Sequence, residues 1–118
     1  MHDHDRAHDH EGVGGRLLFA GAVVVQLLVL YWPGPVDGGG VPGLDKAVHL
    51  AVFAAAALTG RRAGVRAVVL AVGLGLHAVA SEAIQGTVLD GRSADPYDVL
   101  ADLLGIAIGL AVARRPAR

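Results

Sequence analysis

The sequence predicts an all-α integral membrane bundle of four transmembrane helices behind a short cytoplasmic, disordered N-terminal tail. Three observations predict it. Of 118 residues, 53% are hydrophobic, and the apolar residues fall in long runs without the polar face that a soluble helix needs. Proline and glycine clusters cut those runs into helix-length pieces. The ionisable residues gather at the ends of the pieces, where a membrane interface would lie.

Residues 1–15 (MHDHDRAHDHEGVGG) are polar and rich in His and Asp, which predicts a disordered tail ahead of a membrane domain at 16–115. Its histidines, His2, His4, His8 and His10, have no preorganised ligand geometry in a flexible segment, so no metal site is expected there. The apolar run that follows has no convincing Ala-x-Ala site, so it is expected to be a retained helix rather than a signal peptide.

Helix one is expected over 16–32, ending on the interface aromatics Tyr31 and Trp32 before PGPVDGGGVPG. Helix two is expected over 44–60 and helix three over 65–85. Helix four is expected over 97–113, with Pro96 at its first turn and Asp95 as its cap. Helices one, two and four are about 25 Å long at about 1.5 Å per residue, short for a hydrocarbon core of about 30 Å but tolerable with local thinning. With four spans, Arg6, Arg16, Arg61, Arg62, Arg66, Arg114, Arg115 and Arg118 share one side. The positive-inside rule then puts both termini in the cytoplasm.

The other side holds the unusual chemistry. Asp37, Asp45, Glu82, Asp90, Asp95, Asp98 and Asp102 face only Lys46 and Arg92 there. Ionisable groups beside hydrocarbon are costly and must pair, protonate or meet water. Spacing puts Asp45 and His49 on one face of helix two, and Ser81 and Gln85 with His77 on one face of helix three, with Glu82 beside Gln85. In helix four, Asp98, Asp102, Gly105 and Gly109 form one stripe, acidic at the outer end and small-xxx-small at the inner end. The candidate site is therefore Asp45, Lys46, His49, Glu82, Gln85, Arg92, Asp98 and Asp102. Net charge near zero gives no case for nucleic acid, and the absence of cysteine excludes disulfides and thiolate chemistry. No cofactor is expected.

Four segments together resemble the VanZ-like family of small integral membrane proteins. Leu44-Asp45-Lys46-Ala47-Val48-His49 with Phe53 is similar to the family's Asp-Lys-x-x-His start, and Ser81-Glu82-Ala83-Ile84-Gln85 to its Glu-x-x-Gln. Gly91-Arg92-Ser93 follows, with Asp95 and Asp98. Asp98-Val-Leu-Ala-Asp102-Leu-Leu-Gly105 is similar to Asp-x-x-x-Asn-x-x-Gly, with Asp102 where the family usually has Asn. The resemblance spans roughly residues 44–110. It implies a multi-pass protein of the bacterial cell membrane, linked to teicoplanin tolerance. Membrane lipids are expected partners, and a lipid-linked cell-wall intermediate is one candidate ligand for the outer polar site.

The residues themselves leave the chemistry open. Lys46 and Arg92 suit an anionic envelope ligand, positioned by His49, Glu82 and Gln85. His49 with Asp45 and Glu82 suits acid–base catalysis, or with Asp98 and Asp102 a divalent metal. Glu82, Asp102, His49 and His77 suit a proton path, and a homo-oligomer would be needed for a pore. Asp45–His49, Glu82–Gln85 and Arg92–Asp98 suit interhelical glue in a purely structural scaffold.

Overall fold

A computed structural model describes residues 2–32, 43–87 and 95–114, with side chains from Gly12 onward. These residues form four α-helices: α1 (His2–Tyr31), α2 (Leu44–Arg62), α3 (Ala67–Thr87) and α4 (Pro96–Ala113). Three segments are long and apolar enough to cross a membrane: Gly12–Tyr31, Ala67–Thr87 and Pro96–Ala113. Large apolar side chains such as Leu17, Leu18, Leu76 and Leu100 lie exposed along them. In water such a surface would drive aggregation; in lipid it is the solvent-matched face.

α2 is not among those three. Asp45 and Lys46 at one end and Arg61 and Arg62 at the other make it too charged. Between those ends it is rich in alanine, and it packs against all three other helices, most extensively α4.

The termini follow local chemistry. Asp95 caps α4: its side chain accepts from the Tyr97 N–H at 3.0 Å, and Pro96 opens the first turn. α2 ends in a Schellman turn, with Val65 N–H on the Gly60 carbonyl and Gly64 N–H on that of Arg61. Gly64 supplies the left-handed residue, φ 95°, that this turn requires. The start of α1 departs from expectation. The helix runs from His2 through the polar segment expected to be a disordered tail. Once a long apolar span has nucleated a helix, each added residue costs little, and no proline interrupts residues 2–16.

Close contacts give the directions. Gly15 lies by Arg62 and Ala63, and Gly60 by Phe19 and Leu70, so α1 and α3 run antiparallel to α2. Gly105 sits on Leu50 and Gly109 on Ala54, so α4 runs parallel to α2. The bundle thus alternates direction from helix to helix. The α2–α3 turn, with Arg61, Arg62 and Arg66, lies at one end beside Gly15. The starts of α2 and α4 and the ends of α1 and α3 meet at the other. Phe53, Ala56, Ala57, Leu70, Leu74, Ala78 and Ile106 fill the core, with Leu30 from α1.

Candidate functional site

At the second end, α2 contributes Asp45, Lys46 and His49, α3 contributes Glu82 and Gln85, and α4 contributes Asp98 and Asp102. The sequence placed these residues by face; the structure links all of them but Gln85 across helices, Glu82 through the Asp95 N–H. Arg92, Asp37 and Asp90 lie outside the described residues, as does the expected Arg92–Asp98 pair.

Lys46 is the hub. Its ammonium donates to Asp45 Oδ2 at 2.8 Å, Asp95 Oδ2 at 2.7 Å and Asp98 Oδ1 at 3.1 Å. An ammonium has three N–H groups, so all are used. Lys46 therefore clamps the start of α2 to the start of α4 and has no donor left for an anionic ligand, unlike the role its sequence suggested. Asp95, just outside the apolar span of α4, is fixed from three sides. Lys46 and the Tyr97 N–H engage its carboxylate, and its own N–H donates to Glu82 Oε1.

One turn deeper, His49 Nδ1 and Asp102 Oδ1 are 2.8 Å apart, the imidazole N–H donating when the carboxylate is ionised, and His49 Nε2 lies 3.9 Å from Asp98 Oδ2. His49, Asp98 and Asp102 are all buried, Asp102 completely. The pairings within helices that spacing suggested do not form. Asp45 bonds Lys46 instead of His49, and Gln85 reaches across to α1, donating to the Leu30 carbonyl at 2.5 Å. For Lys46 and His49 the reason is the parallel register of α2 and α4, which sets position 46 beside 98 and 49 beside 102.

A second polar contact joins α1 to α3. His77 Nδ1 and Gln26 Oε1 are 3.2 Å apart, and His77 Nε2 and the Tyr31 hydroxyl 2.9 Å. A histidine in one tautomer uses one nitrogen to donate and the other to accept, so this arrangement suits a neutral ring held between helices. Gln26 and Tyr31 were not anticipated as partners. The available signal was Gln26, the lone polar residue in the apolar run of helix one. Ser81 bonds the Ala78 carbonyl of its own helix at 3.0 Å, the arrangement of a packing hydroxyl rather than a nucleophile.

The cap and the clamp make a pH-dependent prediction. The Lys46 ammonium, and then the Tyr97 N–H, hold the Asp95 carboxyl below the usual carboxylate range. A carboxyl depressed by folding stabilises above its unfolded value, about 3.9, and that contribution is lost as pH falls through the folded value. Asp95→Ala should destabilise near neutral pH by about 1 kcal/mol through the cap. Asp95→Asn, which retains a capping oxygen, should cost less. Melting curves of the detergent-solubilised proteins from pH 7 down past pH 4 should show the gap between Asp95→Ala and wild type narrowing. A gap that stays constant with pH would mean that ionised Asp95 contributes nothing.

No family model, curated protein or solved structure matches this chain.

Proposed function

We propose that this chain is a VanZ-like protein of the bacterial cell membrane. It spans four times with both termini in the cytoplasm, and its outer polar site binds a lipid-linked or other cell-envelope component, contributing to teicoplanin tolerance. The observation that carries the reading is convergence. Lys46, His49, Glu82, Asp98 and Asp102, far apart in sequence, meet at the end of the bundle opposite Arg61, Arg62 and Arg66. The motif resemblance supplies the family, and the alternating helix directions support four spans. In α2 the charges sit at the two ends, where side chains reach the interface. An alkaline phosphatase fusion at the C-terminus should be inactive; activity would overturn the topology.

Since Lys46 is spent on carboxylates, recognition falls to the remaining groups: Arg92, the imidazole edge of His49 and the carboxylate of Glu82. A second reading, membrane-embedded acid–base catalysis on an envelope lipid, is favoured by one observation. His49 is oriented by Asp102 through Nδ1, which frees Nε2 for proton transfer.

The test is teicoplanin susceptibility of a sensitive bacterial host. Strains would express the wild type, Glu82→Gln or Arg92→Ala at membrane levels matched through a C-terminal tag. Wild type should protect, and both variants should lose most of the protection. If wild type gives none, the tolerance reading fails. If the variants protect fully, the polar site is a scaffold.

A further inference from the structure

At the end of the bundle away from Lys46, α1 rests on α2, and beside that contact the two helices leave a groove. A Cβ at Gly15 would lie 3.4 Å from the Arg62 carbonyl oxygen, which places this part of α1 against the end of α2. The groove has a volume of about 420 Å³ and an apolar lining, with Leu17, Leu18, Gly21 and Val25 from α1 and Ala51 and Ala55 from α2. A Cβ on Gly21 would meet nothing within 4 Å, so the space exists because small residues leave it unfilled. Arginines crowd the same end, and two of them are engaged. Arg61 donates to the Val65 carbonyl at 3.0 Å, and Arg16 to the Gly12 carbonyl at 3.2 Å. Arg62 is exposed and has no side-chain hydrogen bond or ion pair among the described residues. It lies at the mouth of the groove, since Ala51, Ala55 and Arg62 fall at i, i+4 and i+11 on one stripe of α2.

We propose that this groove holds one acyl chain of an anionic phospholipid, with the lipid phosphate on Arg62. Depth, width and charge select that occupant. From Ala51 to Arg62 the stripe rises about 16 Å at about 1.5 Å per residue, close to half of a hydrocarbon core of about 30 Å. The groove is therefore as deep as one leaflet, with its cation at the head-group level and its small residues toward the midplane. A helix about 10–12 Å across cannot enter a space of about 420 Å³ over that length, whereas a single flexible tail can. A guanidinium offers five N–H donors in a fork that matches phosphate oxygens. A zwitterionic head group brings its own cation and gains less from Arg62. α1 meets the bundle mainly through α2, so a tail seated beside that contact widens it. The site lies at the opposite end from Lys46 and His49 and is independent of the envelope-ligand reading.

Dioleoylphosphatidylglycerol is the probe, and dioleoylphosphatidylcholine the comparison. Each would be titrated into the purified full-length protein in detergent, with bound lipid counted by native mass spectrometry. A single phosphatidylglycerol per chain should bind ahead of any phosphatidylcholine. Arg62→Gln should weaken it about fivefold, the effect of one arginine at an anionic surface. Arg16→Gln, the same charge change on the far face of α1, should not. Gly21→Leu fills the groove and should abolish the preference. Gly73→Leu, at an equally open glycine on α3, should leave it intact. Ala55→Leu fills the groove from the α2 side and replaces Gly21→Leu if lipid-free melts show that variant unfolded. Equal binding of the two lipids overturns the proposal, as does wild-type-like binding by Arg62→Gln or by a folded groove-filling variant. So does light scattering that finds a dimer which Gly21→Leu dissociates, since a second copy would then occupy the groove. No envelope ligand is present in the titration, so its failure leaves the teicoplanin result to stand or fall separately.

Discussion

Gly105→Ala should lower the melting temperature, while Gly73→Ala should leave it unchanged or raise it. Alanine is the better helix former by about 1 kcal/mol, so propensity alone favours both changes. Space decides between them. A Cβ at Gly73 has nothing within 4 Å, whereas one at Gly105 meets the backbone of Leu50, its carbonyl oxygen first and its Cα at 3.1 Å. No rotamer relieves a clash with backbone, so α2 and α4 must move apart. Overpacking of this kind costs about 1–3 kcal/mol, and here it acts on the most extensive helix pair in the bundle. The damage should spread, because the same interface sets Lys46 beside Asp98 and His49 beside Asp102. Gly109, against Ala54, repeats the close approach one turn further on. Heating the detergent-solubilised proteins and measuring the surviving monodisperse fraction by size-exclusion chromatography gives the comparison. Equal melting of the Gly105 and Gly73 variants would refute the close approach of α2 and α4.

The helices were legible because their punctuation is chemical. Pro96 with Asp95 marks the start of α4, and PGPVDGGGVPG separates the first two helices. The buried stripes were legible too. Asp98, Asp102, Gly105 and Gly109 were expected on one face, and all four are buried. The partners of the polar residues were not. Spacing along one helix shows which side chains share a face, but not which helix that face meets or in what register. Asp45–His49 and Glu82–Gln85 were natural pairs within helices, yet His49 pairs with Asp102, and Gln85 with the Leu30 carbonyl. The saturation of Lys46 was equally hidden, since it depends on Asp95 and Asp98 arriving from another helix. The extent of α1 was ambiguous for a different reason: a polar His/Asp segment without proline suits either a coil or the extension of a helix already formed.

Asp102 allows the two roles of a buried carboxyl to be separated. One oxygen accepts from His49 at 2.8 Å, and the other is buried with no partner among the described residues. Asp102→Leu keeps the branched shape, at somewhat greater volume, but leaves the His49 N–H without an acceptor. Removing one side of a buried polar pair costs about 3–5 kcal/mol where charge is involved, so most folded protein should be lost. Asp102→Asn should behave differently. Its carbonyl still accepts from His49, and its amide nitrogen replaces the unpartnered oxygen without placing a charge in the interior. This variant should fold in normal yield and melt no lower than wild type. Membrane yield and melting temperature of the three proteins decide the matter. If Asp102→Asn is as damaging as Asp102→Leu, the negative charge itself holds the pair, and His49 must be a cation in the folded protein. If Asn is tolerated and Leu is not, what position 102 supplies is a hydrogen-bond acceptor for His49, and the imidazole is free to act through Nε2.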